Sequence, residues 1–303
     1  MTTYSRRQFL QASLTATAAT AGATVSGWGI EPIARTGPPH FRLGLAAYSF
    51  RKYLALNLKP QPPMTLDDFV EFAAAIQLDA VELTAYYFAD TSSAYLARLK
   101  RKCTQLGLDV SGTAVGNDFC VPDAAQHKEQ MAMVKSWIER TSLLGGKTIR
   151  IFAGRVAKGD TEEKARVRCV AAIQEACDHA AQYGVILALE NHGGITATPD
   201  QMLAIVQAVK HDHFGVNLDS GNFHTADPYA DLERIAPYAV VAQLKTEIQR
   251  AGQPKEEADL KRLLDILRKV HYRGYVVLEY EAAEEPKVAV PKYVKILREL
   301  ITG

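Results

Sequence analysis

Between Phe41 and Gly303 the chain alternates eight short apolar runs with longer amphipathic segments, and this alternation limits its fold more than any other feature. The apolar runs are Leu43–Ser49, Ala80–Tyr86, Leu108–Val115, Thr148–Ala153, Val185–Glu190, Gly215–Asp219, Val240–Leu244 and Tyr275–Tyr280. Each is too short for a helix and rich in Val, Ile, Leu or aromatic residues, as a strand covered on both faces should be. Between them lie helical patterns. Thr65 is placed as an N-cap, followed by the early acids Asp67 and Asp68 and then by Phe69, Val70 and Phe72. Apolar residues recur at three- and four-residue intervals through Lys128–Leu144, Thr161–Tyr183, Pro199–Val209, Asp259–Val270 and Pro286–Ile301. Gly107, Gly145, Gly146, Gly184 and Gly274 stand where helices should end and a left-handed residue is easily accommodated. Eight units with none to spare predict an α/β fold, a single closed (β/α)8 TIM barrel over residues 40–303. An open doubly wound sheet is the rival, but no GxGxxG follows the first strand. No Ser/Gly/Pro-rich linker divides the region, so one domain is expected. Residues 51–63, with three prolines, read as a long loop on the active-site side of the barrel.

Residues 1–35 are different in kind. Ser5-Arg6-Arg7-Gln8-Phe9-Leu10 precedes an Ala/Thr-rich run with no acidic residue before Glu31. A charged start, an apolar middle and small residues afterwards describe an export signal, and the paired arginines followed by Phe-Leu resemble the twin-arginine type. The expected location is therefore the periplasm. No later stretch approaches about 18 uninterrupted apolar residues, so no membrane insertion of the mature chain is expected. The formal net charge of +1 provides no basic footprint for nucleic acid. Cys103, Cys120, Cys169 and Cys177 form no CxxC and read as small buried hydrophobes.

In a parallel barrel the reactive groups stand at the C-terminal strand ends. Read there, the chain offers Tyr48, Glu82, Arg150, Glu190, His192, Asp219, His224, Gln243, Lys245 and Glu279. A single strand-end carboxylate is usually just solvated. Here the last four strands each end in an oxygen donor after an apolar run: Glu190, Asp219, Gln243 and Glu279. Neighbouring strand ends lie about 5 Å apart. Three carboxylates so close would raise one another's pKa values unless a cation sat among them. Three anionic oxygens and one amide oxygen suit one divalent metal ion such as Mn²⁺, Mg²⁺ or Co²⁺, with Zn²⁺ also compatible.

The pattern Leu189-Glu190-Asn191-His192, Leu218-Asp219-Ser220-Gly221-Asn222, Gln243-Leu244-Lys245 and Leu278-Glu279 resembles the xylose isomerase-like barrel superfamily. Within it the pattern is most similar to the sugar phosphate isomerase/epimerase group. That resemblance covers roughly Leu43 to the C-terminus. It implies that Glu190, Asp219 and Glu279 hold the metal, with Gln243 where the family usually places His. It also implies a substrate-binding role for His224, although the gap after Asp219 is longer than in the epimerases.

The expected reaction is isomerisation or epimerisation of a keto-sugar or related hydroxy-carbonyl compound through an enediolate. Glu190 and Glu279 are the candidate proton-transfer residues, and His192, Arg150 and Lys245 would bind substrate oxygens. Tyr48, Phe50 and Tyr86 are candidates for an apolar wall. Structural readings stand beside these: Arg150 can simply pair with Glu82, Lys245 with Glu247 or Glu279, and Glu281 can be a solvated strand-end carboxylate. His211 and His213 flank a strand start and belong to the opposite face. Three other functions remain open. A dehydratase would use the same enediolate chemistry, and a non-catalytic periplasmic sugar binder would explain Gln243. A phosphodiesterase of the abasic-site endonuclease type needs many histidine ligands, and only His192 and His224 stand at the right end. A small carbohydrate is the expected partner. A homo-oligomer is compatible with the resemblance, whose members are commonly dimers or tetramers.

Overall fold

The computed structural model describes residues 29–59 and 61–303, so most of the expected export segment lies outside the described residues. Eight parallel strands close into a barrel: β1 (His40–Ala46), β2 (Ala80–Thr84), β3 (Asp109–Ala114), β4 (Thr148–Ile151), β5 (Ile186–Glu190), β6 (Phe214–Asp219), β7 (Ala239–Leu244) and β10 (Arg273–Leu278). β10 pairs with β1, which shuts the ring. The predicted barrel is the fold. A two-stranded antiparallel hairpin, β8 (Glu247–Gln249) and β9 (Lys255–Glu257), projects after β7; the apolar patterning gives no sign of it.

The outer layer consists of α1 (Leu66–Ala75), α2 (Ser93–Gln105), α3 (Ala124–Leu144), α4 (Glu162–Tyr183), α5 (Pro199–Val206), α6 (Pro228–Ile235), α7 (Leu260–Lys269) and α8 (Pro286–Thr302). Thr65 and Asp68 form a reciprocal capping box at the start of α1, as the early acids there suggested. Periodicity alone does not delimit α2 and α6, yet both carry start signals: Ser92 caps α2, and Asp227 followed by Pro228 caps α6. Gly145 and Gly184 end α3 and α4 in the left-handed region, as predicted. Gly274 does not play this part. It lies within β10, and His271 takes the left-handed conformation after α7.

The helices bury one face against the outside of the strands. α7 does so with Leu260, Leu263, Leu264, Ile266 and Leu267, each stabilising the fold by roughly 1.5–3 kcal/mol. Inside the barrel a separate, smaller apolar cluster forms from Ala46, Ala80, Ala188, Val241, Tyr275 and Val277. Its floor is polar. The Tyr275 hydroxyl donates to Asp109 (2.8 Å) and accepts from Lys147 (2.7 Å) and Arg42 (3.1 Å). Residues leading into β1 reach this same end, where the Ile33 N–H donates to Pro237 O at 3.0 Å. His211 and His213 also lie here, as expected, with His213 bonded to Val185 O. All four cysteines are buried and free. Among the described residues no helix is long and apolar enough to cross a membrane.

Two irregularities set the phase of the inward-facing side chains. Val81 pairs with Val110 but Glu82 with Gly112, so β3 carries one extra residue, Ser111. Likewise Val216 pairs with Ala239 but Asn217 with Val241, so β7 carries Val240 as an extra residue. Such bulges bend a strand and re-aim the side chains beyond them. Gly215 makes the second one feasible, since a Cβ there would come within 2.4 Å of Val240 Cγ1.

Candidate active site

Alternation along each strand carries the apolar interior layer into a charged layer one step nearer the C-terminal rim. Ala80 is followed inward by Glu82, Ala188 by Glu190, Val241 by Gln243 and then Lys245, and Val277 by Glu279. Glu82, Arg150, Glu190, Asp219, Gln243 and Glu279 are all buried. Above them opens a cleft of about 240 Å³ lined by Tyr48, Tyr86, Arg150, Phe152, Glu190, His192, Asn222, Lys245, Glu279 and Glu281. Six of the ten strand-end residues expected at the site line this cleft. Glu82, Asp219 and Gln243 lie beneath it, and His224 is exposed on the lining of an adjoining cavity.

Arg150 does not pair with Glu82. Its Nη1 donates to Val115 O (2.7 Å), and its Nε faces Glu190 Oε2 at 2.9 Å, off the hydrogen-bond line, as an ion pair. Asn222 donates to the other Glu190 oxygen at 2.8 Å. Asn222 is thus a site residue that its own motif displayed without marking its role. Lys245 Nζ lies 2.5 Å from Glu281 Oε1, 3.3 Å from Glu279 Oε2 and 3.5 Å from Asp219 Oδ2. Glu281 is therefore no idle solvated carboxylate, and Glu247 pairs with Lys255 instead. Phe50 is no part of the wall: it is fully buried against Phe69 and Phe72, with ring centroids 5.8 and 4.9 Å away. Phe152 takes its place, with Arg150 over its ring at 4.0 Å and His192 packed at 4.3 Å.

Burial dominates the electrostatics. It lifts Glu190 to about 7, with Arg150 opposing it, and lifts Asp219 and Glu279 to about 7, with Lys245 opposing it. Glu82 is lifted to about 8 for the same reason, reinforced by Glu279. Partial burial, then Arg150 and Lys245, hold His192 below the ordinary histidine range. The site therefore contains carboxyl groups that can both take and release a proton near neutral pH, beside two fixed cations.

The four expected metal ligands do converge, and most of their donor atoms are already engaged, Asp219 Oδ2 being buried without a hydrogen-bond donor. Gln243 Oε1 accepts from Asn217 (2.5 Å), while its Nε2 donates to Glu82 (2.7 Å). Asp219 Oδ1 accepts the Gly221 N–H at 2.8 Å. Both Glu190 oxygens face Arg150 and Asn222. Among the described residues no group of three or more His, Cys, Asp or Glu side chains is arranged to hold a metal ion. With Gln243 bonded on both sides and the Lys245 ammonium against Asp219 and Glu279, the arrangement as it stands does not favour the divalent ion expected from the sequence.

The family model described as "Xylose isomerase-like TIM barrel" matches residues 70–300. The chain belongs to that family. It is 24% identical over 209 residues to a 3-dehydroshikimate dehydratase of Bacillus anthracis, covering 65% of this chain and 69% of that one. Its fold is similar to that of 3-keto-D-glucoside 4-epimerase, YcjR, from E. coli. The TM-score is 0.66 at 16% identity, over 86% of this chain and 99% of that one. It is also similar to the IOLI protein solved with a binding zinc atom, with a TM-score of 0.65 at 21% identity, over 86% and 96% of the two chains. At these identities the structural likenesses establish the fold alone.

Proposed function

We propose that this chain is an isomerase or epimerase of a keto-sugar, working through an enediolate. The observation that carries the reading is the pair Glu190 and Glu279, two buried carboxyl groups near neutral pKa in one cleft, each beside a cation. One of them, ionised, takes the proton from a carbon next to the ketone, and the C–H electrons move onto the carbonyl oxygen. The other, protonated, returns a proton to the opposite face of that carbon, giving epimerisation, or, once the adjacent hydroxyl proton has passed to the former carbonyl oxygen, to the former carbonyl carbon, giving isomerisation. Positive charge from Lys245 and Arg150 meets the oxygen on which negative charge develops. Tyr48, Tyr86 and Phe152 offer the flat apolar surface against which sugar rings pack. No step runs through a divalent ion.

The cleft shares Phe152 and His192 with a cavity of about 200 Å³ on one side. It shares Asn222, Lys245 and Glu281 with another of about 200 Å³ on the other. A trough of this length favours a keto-sugar carrying a glycosidic substituent over a bare monosaccharide. The sugar 4-epimerase of similar fold supports the carbohydrate class. A dehydratase, expelling a β-hydroxyl as water from the same enediolate, is the second reading; the 3-dehydroshikimate dehydratase likeness favours it. The deciding experiment incubates the enzyme with free and glycosidic keto-sugars in D2O. Deuterium entering a carbon next to the ketone, and its loss in Glu190→Gln and Glu279→Gln, supports the proposal. Full exchange in both variants defeats it, and appearance of an absorbing enone selects the dehydratase.

We also propose that the chain is exported to the periplasm by the twin-arginine route, on the strength of Arg6-Arg7 and the run after them.

A further inference from the structure

Three buried carboxylates converging from β5, β6 and β10 need positive charge between them, and in this chain that charge is covalently attached. We propose that the Lys245 ammonium is the resident cation of the site, taking the position and electrophilic duty of a divalent metal. Gln243, an amide where the resemblance implies an imidazole ligand, is the matching feature. The electrophilic duty rests on the isomerase/epimerase reading; exclusion of the metal does not.

The ammonium is surrounded as a cation would be. Four oxygens stand around Nζ: Glu281 Oε1 at 2.5 Å, Asn222 Oδ1 at 3.2 Å, Glu279 Oε2 at 3.3 Å and Asp219 Oδ2 at 3.5 Å. The last of these is fully buried and has no hydrogen-bond donor, so the lysine charge is what balances it. The approach of the side chain is built in. The Lys245 N–H donates to Ser220 Oγ at 2.8 Å, and the stem crosses Gly221, where a Cβ would come within 2.7 Å of Lys245 Cδ. Gln243 cannot turn toward an ion without breaking bonds to both Asn217 and Glu82, all three side chains being buried. A divalent ion at coordination distance from Asp219 and Glu279 would meet the ammonium at close range, where like charges repel strongly. Arg150 supplies the second fixed charge on the far side of Glu190. As a substrate proton leaves, the oxygen that gains charge meets N–H donors already held in place, and no ligand exchange is required.

The first test titrates Mn²⁺ and Zn²⁺ into the purified full chain by calorimetry, with metal analysis of the protein as isolated. The expected result is no saturable uptake and less than one-tenth of an equivalent of metal per chain. One equivalent bound, and removed by chelation, overturns the proposal. The second test uses Lys245→Ala combined with Gln243→His, which removes the ammonium and restores an imidazole. A correctly melting double variant should take up one Mn²⁺ at least tenfold more tightly than the parent; a folded double variant that gains nothing overturns the proposal. Third, Lys245→Gln should reduce kcat for exchange at least 100-fold with a much smaller change in KM, and Lys245→Arg should restore part of it. Unchanged kcat in Lys245→Gln removes the electrophilic duty. The metal titrations need no substrate, so they remain decisive even if no keto-sugar is turned over.

Discussion

Arg150 Nε stands 2.9 Å from Glu190 Oε2, with both side chains almost wholly shielded from water. Burial alone pushes a carboxyl group upward, and this guanidinium limits how far Glu190 rises. Replacing Arg150 with Met should therefore move Glu190 above about 7, by about one unit or more. If Glu190 must be ionised to act, the acidic limb of kcat/KM for exchange shifts to higher pH by that amount. A pH–rate profile superimposable on that of the parent would show that Glu190 is not the titrating base.

Glu82 gives a stability prediction with a definite sign. Its folded pKa, about 8, lies above the ordinary carboxyl value, so the folded state holds a proton that the unfolded chain has released. The cost is absent below the unfolded pKa and grows as pH rises toward the folded one, by about 1.4 kcal/mol per pH unit at most. Glu82→Gln keeps an acceptor for Gln243 and removes the ionisation. Urea unfolding should show the variant more stable than the parent at pH 8, with the gap closing toward pH 4.5. A gap of constant size across that range contradicts the argument.

At the other end of the barrel, Tyr275→Phe deletes a hydroxyl bonded to Asp109, Lys147 and Arg42. Loss of hydrogen bonds to charged partners should lower the unfolding free energy by roughly 1–3 kcal/mol. The kinetic constants should be unaffected, because the cleft lies at the opposite strand ends.

For export, Arg6→Lys together with Arg7→Lys should trap the full-length chain in the cytoplasmic fraction of a host with the twin-arginine route. Continued delivery of the double variant to the periplasm would show that the signal reading is wrong.

Much of this architecture is legible in the linear chain. Period-2 and period-3.6 patterning marks eight strands, and Glu190, Asp219 and Glu279 stand out because each closes an apolar run. The identity of the cation among them is not legible. Lys245 is one residue past the end of β7, and whether its side chain crosses to Asp219, Glu279 and Glu281 or leaves toward Glu247 depends on the path over Gly221. The expectation of a metal comes from counting carboxylates, while the Lys245 ammonium, already a candidate partner of Glu279 in the linear chain, is a second source of positive charge whose placement only the fold gives. Asn222 and Phe152 escape notice for a related reason. An amide in a loop and a phenyl ring after a strand have no distinctive spacing, and only the convergence of β4, β5 and β6 gives them a role.

Val240, the extra residue in β7, has a consequence for how this barrel can change over time. Ala239 and Val241 pair with the consecutive residues Val216 and Asn217, so losing Val240 alone would leave a regular strand whose amide and ammonium still face the axis. Losing one paired residue beyond it, Ala242 for example, would instead turn both toward the helical shell. Beyond the bulge, variation in this strand is thus channelled toward substitution and away from changes in length.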